Sequence, residues 1–72
     1  MKEKLPLPGE IYQHYKGGSY EIITMATHTE THEKMVVYRS LNFGSIYTRP
    51  YTIFNEEIPI EDNLIKRFSK IE

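Results

Sequence analysis

Turn-forming residues cut this chain into pieces suited to short strands rather than long helices. Gly17-Gly18, Asn42-Phe43-Gly44-Ser45, Pro50 and Asp62-Asn63 are the breakers. Between them lie runs rich in Ile, Val, Thr and Tyr, residues whose branched or flat side chains fit a pleated surface. Glu10–Tyr15 is a first β-prone run, and Gly-Gly after it marks a hairpin, since glycine reaches positive φ without steric cost. Tyr20–Thr29 is long for one flat strand and predicts a bend or bulge. Lys34–Leu41 is the clearest strand, and Ile46–Arg49 returns from the Asn42–Ser45 turn. Pro50 brings no N–H to a ladder and ends regular pairing there.

Beyond Pro50, Tyr51–Asn55 reads as one turn of 3₁₀ helix and Glu56–Ile60 as a last strand. The tail has two readings. Asp62 can cap a short helix carrying Leu64, Ile65, Phe68 and Ile71. Alternatively, Asp62-Asn63 is a tight turn that sends Leu64–Phe68 back along the sheet, the reading preferred here. Sandwiches of the immunoglobulin type need about 100 residues. A chain of 72 residues better suits a mainly β fold, a small five-stranded SH3-like barrel with a short 3₁₀ turn. The organisation expected is an extended lead-in over 1–8, a β-barrel domain over 9–61, and a C-terminal turn with a strand or short helix over 62–72.

Such a domain has no covalent staple, because the chain contains no cysteine. Its core is small, burying roughly 60% of the surface that the unfolded chain exposes. Nine Lys and Arg stand against ten Asp and Glu, so the basic excess of a phosphate-tracking protein is missing and non-specific DNA binding is disfavoured. The surplus lysines lie in the tails and the middle is mildly acidic. No apolar run approaches the ~20 residues of a membrane span, and prolines interrupt the N-terminus before a signal-peptide core forms. A cytoplasmic location with no membrane partner is the expectation.

Several pieces recur together: Gly9, Tyr12, His14-Tyr15-Lys16-Gly17-Gly18 and Tyr20; His28, Glu30-Thr31 and Glu33; Val37-Tyr38-Arg39; and Arg49-Pro50 with Phe54. In this register they resemble a family of small bacterial domains of unknown function, over residues 9 to 60 and on to Arg67-Phe68. The resemblance implies a β-rich single domain with no established activity. Two positions depart from its pattern: the turn near Asn63 often holds glycine in the family, and His32 stands where an aliphatic residue is common.

Three constellations carry candidate chemistry. Around the first hairpin, Tyr12 and His14 share one strand face, with Tyr15, Lys16 and Tyr20 beside them. Rings, an imidazole and a rim cation suit stacking on a base or a peptide proline. The bland alternative is cross-strand aromatic packing, at roughly 0.2–1 kcal/mol per pair. Six tyrosines against three phenylalanines and no tryptophan point to rings whose hydroxyls meet water or a partner.

In the second, His28 and Glu30 match the resemblance and form a histidine–carboxylate contact. With His32 and Glu33 they make a His-x-Glu-x-His run, but structural zinc wants four closed ligands. No metal and no cofactor is assigned. In the third, a four-residue loop over Asn42–Ser45 sets Tyr38 opposite Arg49, a guanidinium beside a phenol. Arg49 either holds a carboxylate or phosphate or pairs with Glu56 or Glu57. Arg39, in an apolar strand, takes a structural acidic partner. Phe54 completes the candidate set with Tyr38 and Arg49.

Serines lack a base at recognisable spacing, and the glycines form no phosphate loop, so no catalytic residue is assigned. The first functional reading is a non-enzymatic binding module that takes a peptide, nucleotide or single-stranded nucleic acid. A homo-oligomeric accessory or structural subunit is the alternative, and a small histidine-dependent enzyme the last.

Overall fold

The computed structural model describes residues 5–71. The first four residues of the expected lead-in, and Glu72 at the end of the expected tail, lie outside that range. The elements are β1 (Ile11–His14), β2 (Ser19–Thr27), β3 (Lys34–Ser40), β4 (Ile46–Pro50), α1 (Tyr51–Phe54), β5 (Glu57–Ile60), β6 (Asn63–Lys66) and β7 (Phe68–Lys70). β1 to β4 and β7 form one antiparallel sheet in the order β4-β3-β2-β1-β7, while β5 and β6 make a separate hairpin. The fold is therefore mainly β. The main sheet has five strands, but its fifth is β7 from the tail rather than β5, and β4 and β7 remain as edges.

A bulge in β2 sets the inner face. Tyr20 opposes Ser40 and Ile22 opposes Tyr38, but the register then shifts so that Met25 opposes Val36. Strict alternation would send Met25 to the same side as Ile23, and one extra residue restores Tyr20, Ile22 and Met25 to a common face. That face meets Val36 and Tyr38 of β3, and Ile22 and Val36 are fully buried. Tyr51, Phe54 and Phe68 close the core.

The chain after β4 makes a single α-helical turn, not the 3₁₀ turn expected. The Asn55 N–H donates to the Tyr51 carbonyl, four residues back, and only the following Glu56 N–H makes the tighter bond to Ile53. Pro50, with ψ 141°, is the last paired residue of β4. It is tolerated because β4 is an edge strand whose missing donor faces away from β3.

The tail resolves to strands. Ile60 pairs with Asn63, so the two-residue turn is Glu61-Asp62, one residue earlier than expected. Both residues hold positive φ, 46° and 69°, the geometry of a hairpin turn that matches strand twist. Glycine suits such a position, because it reaches positive φ without steric cost. Among the described residues no helix is long and apolar enough to cross a membrane.

Candidate functional site

The concave face of the main sheet carries a cup of about 150 Å³, lined by His14, Tyr20, Tyr38, Tyr47, Arg49 and Phe68. Pairing explains why these six meet. His14 opposes Phe68 across β1 and β7, and Tyr47 and Arg49 oppose Tyr38 and Val36 across β3 and β4. All project to one side by the period-two rule. The first hairpin leaves room for Tyr20: Gly18 has φ +87°, and a Cβ there would come within 3.3 Å of the Tyr20 hydroxyl.

The rings pack mainly edge to face. Tyr20 meets Tyr38 at 5.4 Å and Phe68 at 5.6 Å, and His14 meets Phe68 at 4.9 Å. Phe54 stacks on Phe68 at 4.2 Å, so Phe54 supports the cup from the core without lining it. The Arg49 guanidinium lies 5.4 Å from the Phe68 ring centroid and touches the Tyr38 hydroxyl. Burial, only partly offset by Arg49, raises the Tyr38 phenol above its ordinary pKa and keeps it a neutral donor.

His14 is held as a donor too. Its Nδ1 accepts the Lys16 backbone N–H at 3.1 Å, which leaves the ring proton on Nε2. Burial lowers its pKa, and Arg49, Arg67 and Lys16 push the same way. Arg67 is paired with Glu56 at 2.7 Å, yet its buried Nε–H has no acceptor among the described residues. The cup therefore gathers donors and positive charge, and among the described residues no carboxylate lines it.

Of the residues expected from the sequence, His14, Tyr20, Tyr38 and Arg49 come together here. Tyr12 does not join them: it packs against Phe54 at 5.3 Å and donates to Glu10. Burial foremost, with Glu10 beside it, pushes the Tyr12 phenol up to about 12. Tyr15 lies against His14 outside the cup, with Lys16 Nζ 5.7 Å from its ring centroid. His28 and Glu30 sit on the β2–β3 turn at the other end of the sheet. There His28 Nδ1 accepts the Glu30 and Thr31 backbone N–H groups, so it organises the turn. Among the described residues no three His, Asp or Glu side chains converge as metal ligands would.

The third constellation needs a correction. The β3–β4 loop is the four residues Leu41–Gly44, one residue earlier than expected, closed by Ser40 N–H to Ser45 carbonyl, so Tyr38 opposes Tyr47 and Arg49 opposes Val36. The shift is two residues, which preserves every face, and Arg49 still reaches Tyr38. The reason is Ser40, whose buried side chain accepts the Phe43 N–H and tightens the loop early. Arg39 pairs with Glu21 directly across the strand. Glu56 holds Arg67 rather than Arg49. Tyr47 and Phe68 were missed as lining residues. Tyr47 is legible as the residue two before Arg49 on the same face, whereas Phe68 carries no local signal.

Residues 10–70 match the family described as a protein of unknown function, DUF1653. The chain belongs to the DUF1653 family. The crystal structure of a DUF1653 protein from Bordetella bronchiseptica is similar throughout, with a TM-score of 0.78 and 33% sequence identity over 92% of this chain and 87% of that one. No match is found among curated proteins.

Proposed function

We propose that this DUF1653 chain is a non-enzymatic binding module that holds a carboxylate or phosphate group of its ligand in the Arg49 cup. The observation that carries the reading is the composition of the lining: a guanidinium, an imidazole, three phenols and a phenyl ring, with no acidic side chain among the described residues. Such a set offers donors and no competing anion, so an oxyanion is the complementary guest. Ring faces and edges flank the polar groups, and the lower local dielectric beside them strengthens each polar contact. The SH3-like reading of the fold belongs to the same proposal, with short strands curled around the Phe54–Phe68 pair and a ligand taken at the aromatic end.

An enzymatic role for His14 has less support. A general base is usually oriented by a carboxylate on its second nitrogen, whereas His14 Nδ1 accepts a backbone N–H. The test is a heteronuclear NMR titration of the labelled protein with acetate, inorganic phosphate, adenosine monophosphate and a short single-stranded oligonucleotide. Saturable shifts at His14, Tyr20, Tyr38 and Arg49, lost in Arg49→Gln, are expected for at least one oxyanion. Shifts scattered over surface lysines, or none, would overturn the proposal.

A further inference from the structure

Beside the cup runs an unpaired strand edge. The Ser40–Ser45 backbone bond sets the parity of the β3–β4 ladder, so Tyr47 and Arg49 direct their backbone groups to β3. Ile46 and Thr48 then point their N–H and C=O groups outward, where no strand among the described residues pairs with them. Pro50, lacking an N–H, ends this edge. Natural sheets usually blunt such edges with charge, but here the neighbourhood is apolar. Phe43 is 82% exposed and Ile46 63%, with Leu41 and Tyr47 also open to solvent.

We infer that the outer edge of β4 receives a short extended peptide bearing an acidic side chain, added as a further strand, with its carboxylate seated on Arg49. This rests on the oxyanion reading of the cup and names the ligand class. An added strand lies about 4.8 Å from β4, and its backbone bonds to Ile46 and Thr48. Its residues opposite Tyr47 and Arg49 then fall at non-bonded positions, where side chains approach closest, and project onto the concave face. Arg49 supplies the charge complement, and Arg67 and Lys16 lie near the same imidazole. Size separates peptide from nucleotide. The cup's volume of about 150 Å³ fits a carboxylate side chain, whereas whole small-molecule ligands occupy roughly 300–1,000 Å³.

The test uses a capped peptide, acetyl-Thr-Val-Thr-Glu-Val-Thr-amide, and its Glu-to-Gln counterpart, with acetate as a control. The Glu peptide is expected to shift Ile46–Arg49 amides and slow hydrogen exchange at the Thr48 N–H by about tenfold or more near saturation. The Gln peptide should bind about fivefold more weakly, and Arg49→Gln should erase that difference. Acetate shifting the cup while neither peptide protects Thr48 would overturn strand addition and leave the oxyanion reading standing. Silence with acetate, phosphate and both peptides would overturn both. Protection of Thr48 that rises with protein concentration alone, with a dimer in sedimentation, would assign the edge to a second copy instead and sink the peptide proposal.

Discussion

Arg49 and Phe68 belong to the two opposite edge strands of the five-stranded sheet, yet the guanidinium lies 5.4 Å from the ring centroid. A flat sheet of this order would hold β4 and β7 four inter-strand spacings apart, close to 20 Å by the usual ~4.8 Å separation. The sheet is therefore strongly curled, and side chains rather than backbone bonds bring its edges together. That curl creates the cup, since Tyr20, Tyr38 and His14 lie between the edges on the concave side.

If this pair helps hold the curl, Arg49→Met and Phe68→Leu should not be additive. A double-mutant cycle by urea denaturation is expected to give a coupling of about 0.5–2 kcal/mol, the range for exposed to desolvated cation–π pairs. A coupling near zero would mean that the contact is incidental to the curl.

His14 should titrate below its ordinary 6.5 because burial, then Arg49, Arg67 and Lys16, disfavour the imidazolium. The sign follows by linkage: a depressed folded pKa contributes stability that is complete above the unfolded value and declines as pH falls through the folded one. Ring-proton NMR of wild type and Arg49→Gln checks the cause. The variant should titrate at higher pH, and phosphate should raise the wild-type value if it occupies the cup.

Glu10 contributes in the same direction at lower pH. Its carboxylate accepts the Leu7 N–H, the largest of its stabilising contacts, and also meets Lys70 and the Tyr12 hydroxyl. These hold its pKa below the ordinary 4.5, so its stabilisation is present above that pH and lost as pH falls through the folded value. Denaturation midpoints of wild type and Glu10→Gln should converge on acidification. A constant gap between them would show that ionisation at Glu10 is not the cause.

The β5–β6 turn offers a gain in stability. Glu61 and Asp62 both occupy the left-handed region, at a cost of about 1–2 kcal/mol for an ordinary side chain and less for Asp. Glu61→Asn with Asp62→Gly places the preferred hairpin pair there. Thermal unfolding should shift upward by about 4–8 °C for each kcal/mol recovered. An unchanged or lower midpoint would mean that the turn carries no recoverable strain.

Much of this molecule was determined by the sequence alone, and the reason is locality. Strand limits follow from turn residues, the bulge from the length of the Tyr20–Thr29 run, and the shared face of Tyr47 and Arg49 from alternation along one strand. His14, Tyr20, Tyr38 and Arg49 were legible as candidate residues of one face because each lies on a strand whose inner face its own neighbours specify. Tertiary structure alone decided the rest. β5 left the main sheet because the Glu61-Asp62 turn pairs it with β6, and β7 took the place beside β1. The placement of Phe68 under Arg49 depends on how far the sheet curls, and that is set by packing Phe54, Phe68 and Tyr38 into one small core. No short-range pattern encodes such a choice, because the partners meet only after the strands between them have paired.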